Sequence, residues 1–290
     1  MKKVAIMVDS IAHMPQELAD KYNVKMVPMG IVIDGEAYPE TEVDLPQYYH
    51  ELLQITETEK LPTSLSVTVG SFLEKFRELS QEAEAILYIG HSVKLGMSVN
   101  SATQAKKMVE GELPDFPIEV IDSGTALGAQ MFIAEEAARA AAAGKSFAEV
   151  VEVAKDMIPR VKYICIVDNL DYLTSGGRIL DSRPWAEAKV KTKALIETDA
   201  GAGKVHAPLA RYKTKGQAVK GFLEILKERC GDKKLHVMIS HINAPGEAEE
   251  LKKKILSQFN CAELYVTETY PVVGRHVGPG SHTIGWWCED

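Results

Sequence analysis

The sequence predicts an α/β protein of two domains. Three observations carry that expectation: short apolar runs alternate with amphipathic segments in the first half, each run ends in a polar pair, and the pattern changes after about residue 160. Runs that are apolar throughout, set between helices, mark parallel strands covered on both faces. The 290 residues, 46% hydrophobic and 26% charged, suffice to bury a core without staples. We expect an N-terminal parallel α/β domain over 1–160 and a C-terminal α/β domain over 161–290, with the change around "DMIPRVK".

The elements follow in order. "KKVAIMVDS" is the first strand, ending at Asp9-Ser10. A helix follows, with Pro15 near its start and Leu18, Ala19 and Tyr22 on its apolar side. In "VKMVPMGIVIDGEAYPE", Asp34-Gly35 between apolar runs signals a hairpin outside the parallel core. "LPTSLSVTVGSFLEKF" leads into a helix whose apolar face is Val69, Phe72, Leu73 and Phe76. One hydroxyl suffices as its cap, yet Thr63, Ser64, Ser66, Thr68 and Ser71 crowd there. "AILYIGHS" is the second strand, and "GHSVKLGMSVNSATQAK" opens the next helix with Ser92, Ser98 and Ser101. "PIEVIDS" is the third strand, followed by an Ala-rich helix over 126–143 closed by Gly144. The polar tips thus fall at the carboxyl ends of strands, where open α/β sheets bind ligands.

In the second half, "KYICIVDNL" reads as a strand and "KVKTKALIETDAGAGKVHAPLARY" as two strands around a turn at 199–203. Helix 215–229, strand "LHVMISHI", helix 245–258 and strand "AELYVTET" follow, then a loop over 271–281.

Charge and motif content exclude several classes. A net charge of -8 argues against a nucleic-acid footprint, and "LKKKIL" reads as the solvated face of a helix. Cys165, Cys230, Cys261 and Cys288 form no CxxC pair. The N-terminal apolar run is too short for a signal segment, and no stretch is long enough to span a bilayer. The expectation is a soluble cytoplasmic protein with reduced thiols. There is no P-loop, no GxGxxG opening a helix and no GxSxG. His276 and His282 lack any accompanying metal-ligand motif, so no metal and no cofactor are expected.

Two segments stand out as chemistry-bearing. In "LDYLTSGGRI", Gly176-Gly177 suggests a helix closed by a left-handed turn from which Arg178 emerges, suited to bidentate recognition of a carboxylate or phosphate. "PVVGRHVGPGSHTIG" sets His276 among glycines that let backbone approach a ligand closely. Asp9-Ser10 and Asp122-Ser123 are explained most cheaply as caps and turn formers. Leu127, Met131 and Phe132 follow the third strand end and read first as core. Hydroxyls, Arg and His make a cationic, donor-rich patch that does not distinguish carboxylate from phosphate.

"VDSIAHMPQELADKYNVKMVPMGIVIDGEAY", "PTSLSVTVGSF", "SVKLGMSVNSA", "VIDSGTALGAQ", "LDYLTSGGRI" and "RHVGPG", in this order and spacing, resemble the DegV family of bacterial fatty-acid-binding proteins over essentially the whole chain. The resemblance implies a parallel N-terminal domain and a C-terminal domain with a mostly antiparallel sheet, an acyl chain lying between them. It implies that Thr63, Ser64 and Ser92 contact the carboxylate, that Arg178 and His276 supply charge and orientation, and that Arg211 stands near the carboxylate or the partner. It further implies a non-catalytic subunit, with a long-chain fatty acid as ligand and no cofactor. The partner would be a dihydroxyacetone-kinase-like fatty-acid kinase forming an acyl-phosphate for phospholipid metabolism. No transmembrane segment is implied, and transient membrane contact stays open.

Two departures fall near the carboxylate end. Gly96-Met97-Ser98 stands where the family has Ser-Gly-Thr, and the Pro expected after Thr-Ser is replaced, with Ser66 nearby. Two rival readings remain at this level: a hydrolase or transferase using Ser92 or Ser64 with His276, and a regulator responding to a small anion.

Overall fold

The computed structural model describes residues 4–55, 57, 60–179, 185 and 192–289. In chain order the strands are β1 (Ala5–Asp9), β2 (Lys25–Val27), β3 (Gly30–Ile33), β4 (Glu36–Pro39), β5 (Thr63–Leu65), β6 (Ile86–Gly90), β7 (Ile118–Asp122), β8 (Lys162–Val167), β9 (Lys193–Asp199), β10 (Lys204–Tyr212), β11 (Leu235–His241), β12 (Cys261–Glu268) and β13 (His282–Cys288). The helices are α1 (Gln16–Tyr22), α2 (Leu45–Gln54), α3 (Val69–Ser80), α4 (Ser98–Glu112), α5 (Leu127–Ala142), α6 (Phe147–Met157), α7 (Asp171–Ser175), α8 (Lys215–Cys230), α9 (Pro245–Gln258) and α10 (Pro271–Val277).

The apolar runs of the first half form a parallel sheet in the order β2-β1-β6-β7. Every residue of β1 and β6 is buried, as strands covered on both faces require. The Asp34-Gly35 hairpin joins β3 to β4, and β5 adds to the other edge of β3 in a small antiparallel sheet. The second half builds a six-stranded sheet, β10-β9-β8-β13-β11-β12, antiparallel throughout except for the β11–β12 pair. The expected α/β class, with a parallel and a mostly antiparallel sheet, is thus present.

Several features differ from the sequence reading. Lys25–Val27, in the segment read as an excursion from the parallel core, pairs in parallel with β1 as β2. Central strand β13 escaped it, because "HTIGWWC" neither alternates nor lacks Gly. Residues 271–277 form helix α10 rather than loop; Pro271 stands at its first turn and all seven residues are buried. Four reduced thiols do not hold either: Cys230, at the end of α8, is disulfide-bonded to Cys288 of β13, with Cα atoms 6.0 Å apart. Cys165 and Cys261 are free. None of the described helices is long and apolar enough to cross a membrane.

Helix α5 ties the two sheets together. All but four of its sixteen residues are buried, and it packs on β13 through facing glycines. A Cβ placed on Gly285 would stand 2.6 Å from both the Ala129 nitrogen and the Gly128 carbonyl carbon. Backbone cannot yield as a side-chain tip would, so Gly285→Ala must push α5 off the sheet. We expect a loss of about 1–3 kcal/mol in urea unfolding. Gly111→Ala, in α4 with open space around it, should cost nothing. Equal stabilities for the two variants would show that the helix–sheet spacing is not fixed here.

Candidate functional site

The carboxyl ends of β1 and β6 open onto a cavity of about 80 Å³. Its polar wall is Ser64, Ser66, His91, Tyr163, Arg178, His206 and His276. Its apolar wall includes Ile11, Met29, Leu95, Leu127, Val272, Val273 and Val277. Two wall residues sit in the left-handed backbone region: Leu127 at φ 57° and His206 at φ 50°. A bulky side chain there is strained, and the surrounding packing must hold it.

Three of the residues expected from sequence meet at one end. His276 Nε2 lies 3.0 Å from Ser64 Oγ. Arg178 leaves the left-handed turn at Gly177, φ 68°, and donates to the Leu95 carbonyl at 3.2 Å and the Gly176 carbonyl at 2.7 Å. The other three lie elsewhere. Thr63 precedes Ser64 in β5 and faces the opposite way, as strand alternation dictates; it borders a separate outer cavity with Val32 and Tyr48. Ser92 is buried, and its Oγ accepts the Lys94 N–H at 3.3 Å; its neighbour His91 takes the place on the cavity wall. Arg211 lies in a surface groove, its guanidinium 5.1 Å from the Trp185 ring centroid.

The crowding of hydroxyls resolves into separate tasks. Thr68 caps α3, its Oγ1 accepting the Ser71 N–H at 3.1 Å. Ser66 Oγ accepts the Met97 N–H at 3.1 Å and so holds the loop before α4 beside the cavity. Ser64 faces the cavity. Of the two later candidates, Leu127 is on the wall, while Met131 and Phe132 are fully buried core.

Several site residues escaped the sequence reading. Arg275, beside His276, donates Nε–H to the Pro62 carbonyl at 2.7 Å, and its Nη1 lies 3.3 Å from His276 Nδ1. Only its adjacency to His276 could have signalled this. The pair fits because Gly176 has no side chain: a Cβ there would stand 2.1 Å from His276 Nδ1 and 2.7 Å from Arg275 Nη1. The first glycine of Gly-Gly-Arg therefore makes room, and only the second supplies the left-handed turn. His206 bonds the Arg178 carbonyl at 2.6 Å and the Tyr163 hydroxyl at 2.7 Å.

Among the described residues, no carboxylate pairs with Arg178 or Arg275. Burial lowers both guanidinium pKa values, and Arg178 adds to the effect on Arg275. Burial, Arg178, Arg275 and His206 hold His276 well below the ordinary histidine value. His276 is thus a neutral ring beside two fixed cations. This end of the cavity suits an anion.

Behind it lies a buried polar network. Burial would raise Asp9, but His91 and Tyr88 outweigh that and its pKa falls. The carboxylate accepts from Tyr88 OH at 2.6 Å, His91 Nδ1 at 2.9 Å and Gln130 Nε2 at 3.2 Å. Burial would depress His91, but Asp9 lifts it above the usual value. Its ring tip occupies the space a side chain at position 96 would fill: a Cβ on Gly96 would meet His91 Nε2 at 2.4 Å. The Gly96 departure is therefore paired with His91. Glu40 accepts from Ser10 Oγ and, at 2.8 Å, from the Val272 N–H at the start of α10. Burial pushes Glu40 up to about 7. No metal-holding group of three or more His, Cys, Asp or Glu exists among the described residues.

Glu40 yields a test. Its folded pKa exceeds the ordinary carboxyl value, so the folded protein binds more protons between about pH 4.5 and 7. Its contribution to stability is present below that window and is lost as pH rises through it. Several buried histidines act oppositely, so the informative quantity is the difference between wild type and Glu40→Gln. Wild type should lose on the order of 2–3 kcal/mol relative to the variant between pH 5 and 8. A flat difference in chemical denaturation would mean that Glu40 titrates normally.

A family model described as an uncharacterised protein of the DegV family matches residues 3–289. A DegV domain-containing protein of Halalkalibacterium halodurans is 30% identical over 294 residues, covering 100% of both chains. Two solved structures superpose over 100% of both chains at 25% identity. One is a Thermotoga maritima protein described as revealing a fatty acid binding function, with TM-score 0.86. The other is Bacillus subtilis DegV, described as a fatty acid binding protein, with TM-score 0.87.

Proposed function

The chain belongs to the DegV family, and from that premise we propose that it binds one long-chain fatty acid in the cavity between its two halves. The observation that carries this reading is the pairing, in one cavity, of an apolar wall with a cationic end that no carboxylate among the described residues compensates. Ser64, Arg178 and His276 receive the carboxylate; Leu127 and the valines of α10 cover the first part of the tail. Burial is worth about 0.8 kcal/mol per methylene, so a tail of roughly fourteen gives on the order of 11 kcal/mol gross. Association costs remove part of that, and enough remains for the acid to stay bound through purification. Ser92 holds the turn beside the head group, and Thr63 lies on the other face of β5.

The wider role follows the same premise. The protein acts in the cytoplasm and without catalysis of its own. It presents the acid to a fatty-acid kinase for acyl-phosphate formation, and Arg211, on the outer surface, belongs to the face that meets that partner. The Ser64–His276 contact favours one other reading, a serine nucleophile with a histidine base. Its electrostatics oppose that role. A base must become a cation as it takes the serine proton, and Arg178 and Arg275 both oppose a charge on His276.

Denaturing the purified protein, extracting with solvent and weighing the extract by mass spectrometry should return fatty acid near one per chain. A blank extract after incubation with mixed fatty acids would sink the proposal. Arg178→Ala should retain less acid; equal retention would remove Arg178 from the site. No hydrolysis of an activated ester is expected, and turnover lost in Ser64→Ala would install the nucleophile reading.

A further inference from the structure

Arg275 makes no ion pair among the described residues and is 9% exposed. Its Nε–H is spent on the Pro62 carbonyl, two residues before Ser64 in the chain. Its Nη1 then lies 3.3 Å from His276 Nδ1. A guanidinium has five N–H donors and no acceptor, so this contact is a hydrogen bond only when Nδ1 offers a lone pair. A neutral imidazole with a bare Nδ1 carries its hydrogen on Nε2. That hydrogen points at Ser64 Oγ, 3.0 Å away. The serine oxygen then accepts, and its own hydrogen must point elsewhere. Among the described residues Ser64 Oγ has no other hydrogen bond, and the cavity lies in front of it.

We propose that Arg275 is a positioning residue for the head-group end of the cavity: by donating to His276 Nδ1 it fixes the ring with its hydrogen on Nε2, and so turns the Ser64 hydroxyl outward as a donor to an anionic ligand. The chain of donation runs one way, from Arg275 to His276 to Ser64 to ligand. Each bond polarises the next. The opposite tautomer would set a ring N–H against a guanidinium N–H and turn the serine hydrogen inward, away from any carboxylate. The groups facing His276 are Arg275 on its own helix, Arg178 from the turn after α7 and His206 from β10. None is a carboxylate, so among the described residues nothing nearby favours the Nδ1–H form. Gly176 keeps the arrangement possible, since a Cβ there would strike both partners.

The inference rests on the proposed binding of an anionic lipid only in its last step, so its test separates the two. The full chain is labelled with ¹⁵N-histidine, freed of ligand, and its imidazole nitrogens are followed by NMR, with His276→Gln to assign the signal. We expect a single neutral Nε2–H form of His276 from pH 5.5 to 8. Arg275→Met should replace it with mixed tautomers and move protonation of the ring to higher pH, because a neighbouring cation is gone. In the same variant, palmitate affinity measured by calorimetry should fall roughly ten-fold, about one charge-assisted hydrogen bond. An Nδ1–H ring or an imidazolium in wild type overturns the proposal, even if the variant fails to fold. So does an unchanged nitrogen pattern in Arg275→Met. A wild type with the expected tautomer that takes up no palmitate would retain Arg275 as the residue that orients His276 and would instead sink fatty-acid binding.

Discussion

The site depends on one constraint: residues 269–277 of the second half are pinned to the first half by buried polar contacts. Tyr49 OH donates to the Thr269 carbonyl at 2.8 Å, and Tyr48 OH to the Pro271 carbonyl at 3.2 Å. The Tyr270 N–H donates to His13 Nε2 at 2.8 Å, and the Val272 N–H to Glu40 at 2.8 Å. The Val272 N–H is one of the donors that a helix start leaves without an intrahelical partner, and the Tyr270 N–H and Thr269 carbonyl lie just before it. Buried and unpaired, each would cost about 1–3 kcal/mol. Paired, they fix where α10 lies and bring His276 to Ser64 across more than two hundred residues of chain.

The same contacts divide the charges. Carboxylates of the first half, Asp9 and Glu40, are spent on His91, Ser10, Tyr88, Gln130 and the α10 backbone. None reaches Arg178 or Arg275. Among the described residues, a cavity end with two guanidinium groups and a neutral imidazole is therefore left without a compensating carboxylate. In a partly dehydrated site such groups favour an anion far more than they would in water.

Much of this was legible in the sequence. Apolar runs gave the parallel strands because burial on both faces leaves no alternation to obscure them. Arg178 and His276 announced themselves through glycines that only backbone geometry or close approach demands. Ser64 was legible as one of a cluster, though not as the only cavity-facing member of the Thr-Ser pair. Glu40, His91, Arg275 and His206 were not legible as site residues, because their roles come from partners far away in sequence. Glu40 meets α10 from a 3-10 turn 232 residues away, and no local spacing encodes that. Helix α10 escaped for the same reason: its seven residues among Gly and Pro start where the Val272 N–H and the Tyr270 N–H just before the helix find partners in the other half, a feature their own propensity does not encode.

Helix α10 has no solvent face; each of its seven residues is buried. A helix so placed cannot fray from one end into water, and its valines form part of the cavity wall. Movement of this wall must break contacts to Tyr48, Tyr49, His13 and Glu40 together, so it is a cooperative event rather than a local breathing motion. Any molecule enclosed behind α10 would leave at a rate set by that opening. Tightness of fit and speed of release then become separate properties of the protein, and a surface that loosens α10 could change the second without touching the first.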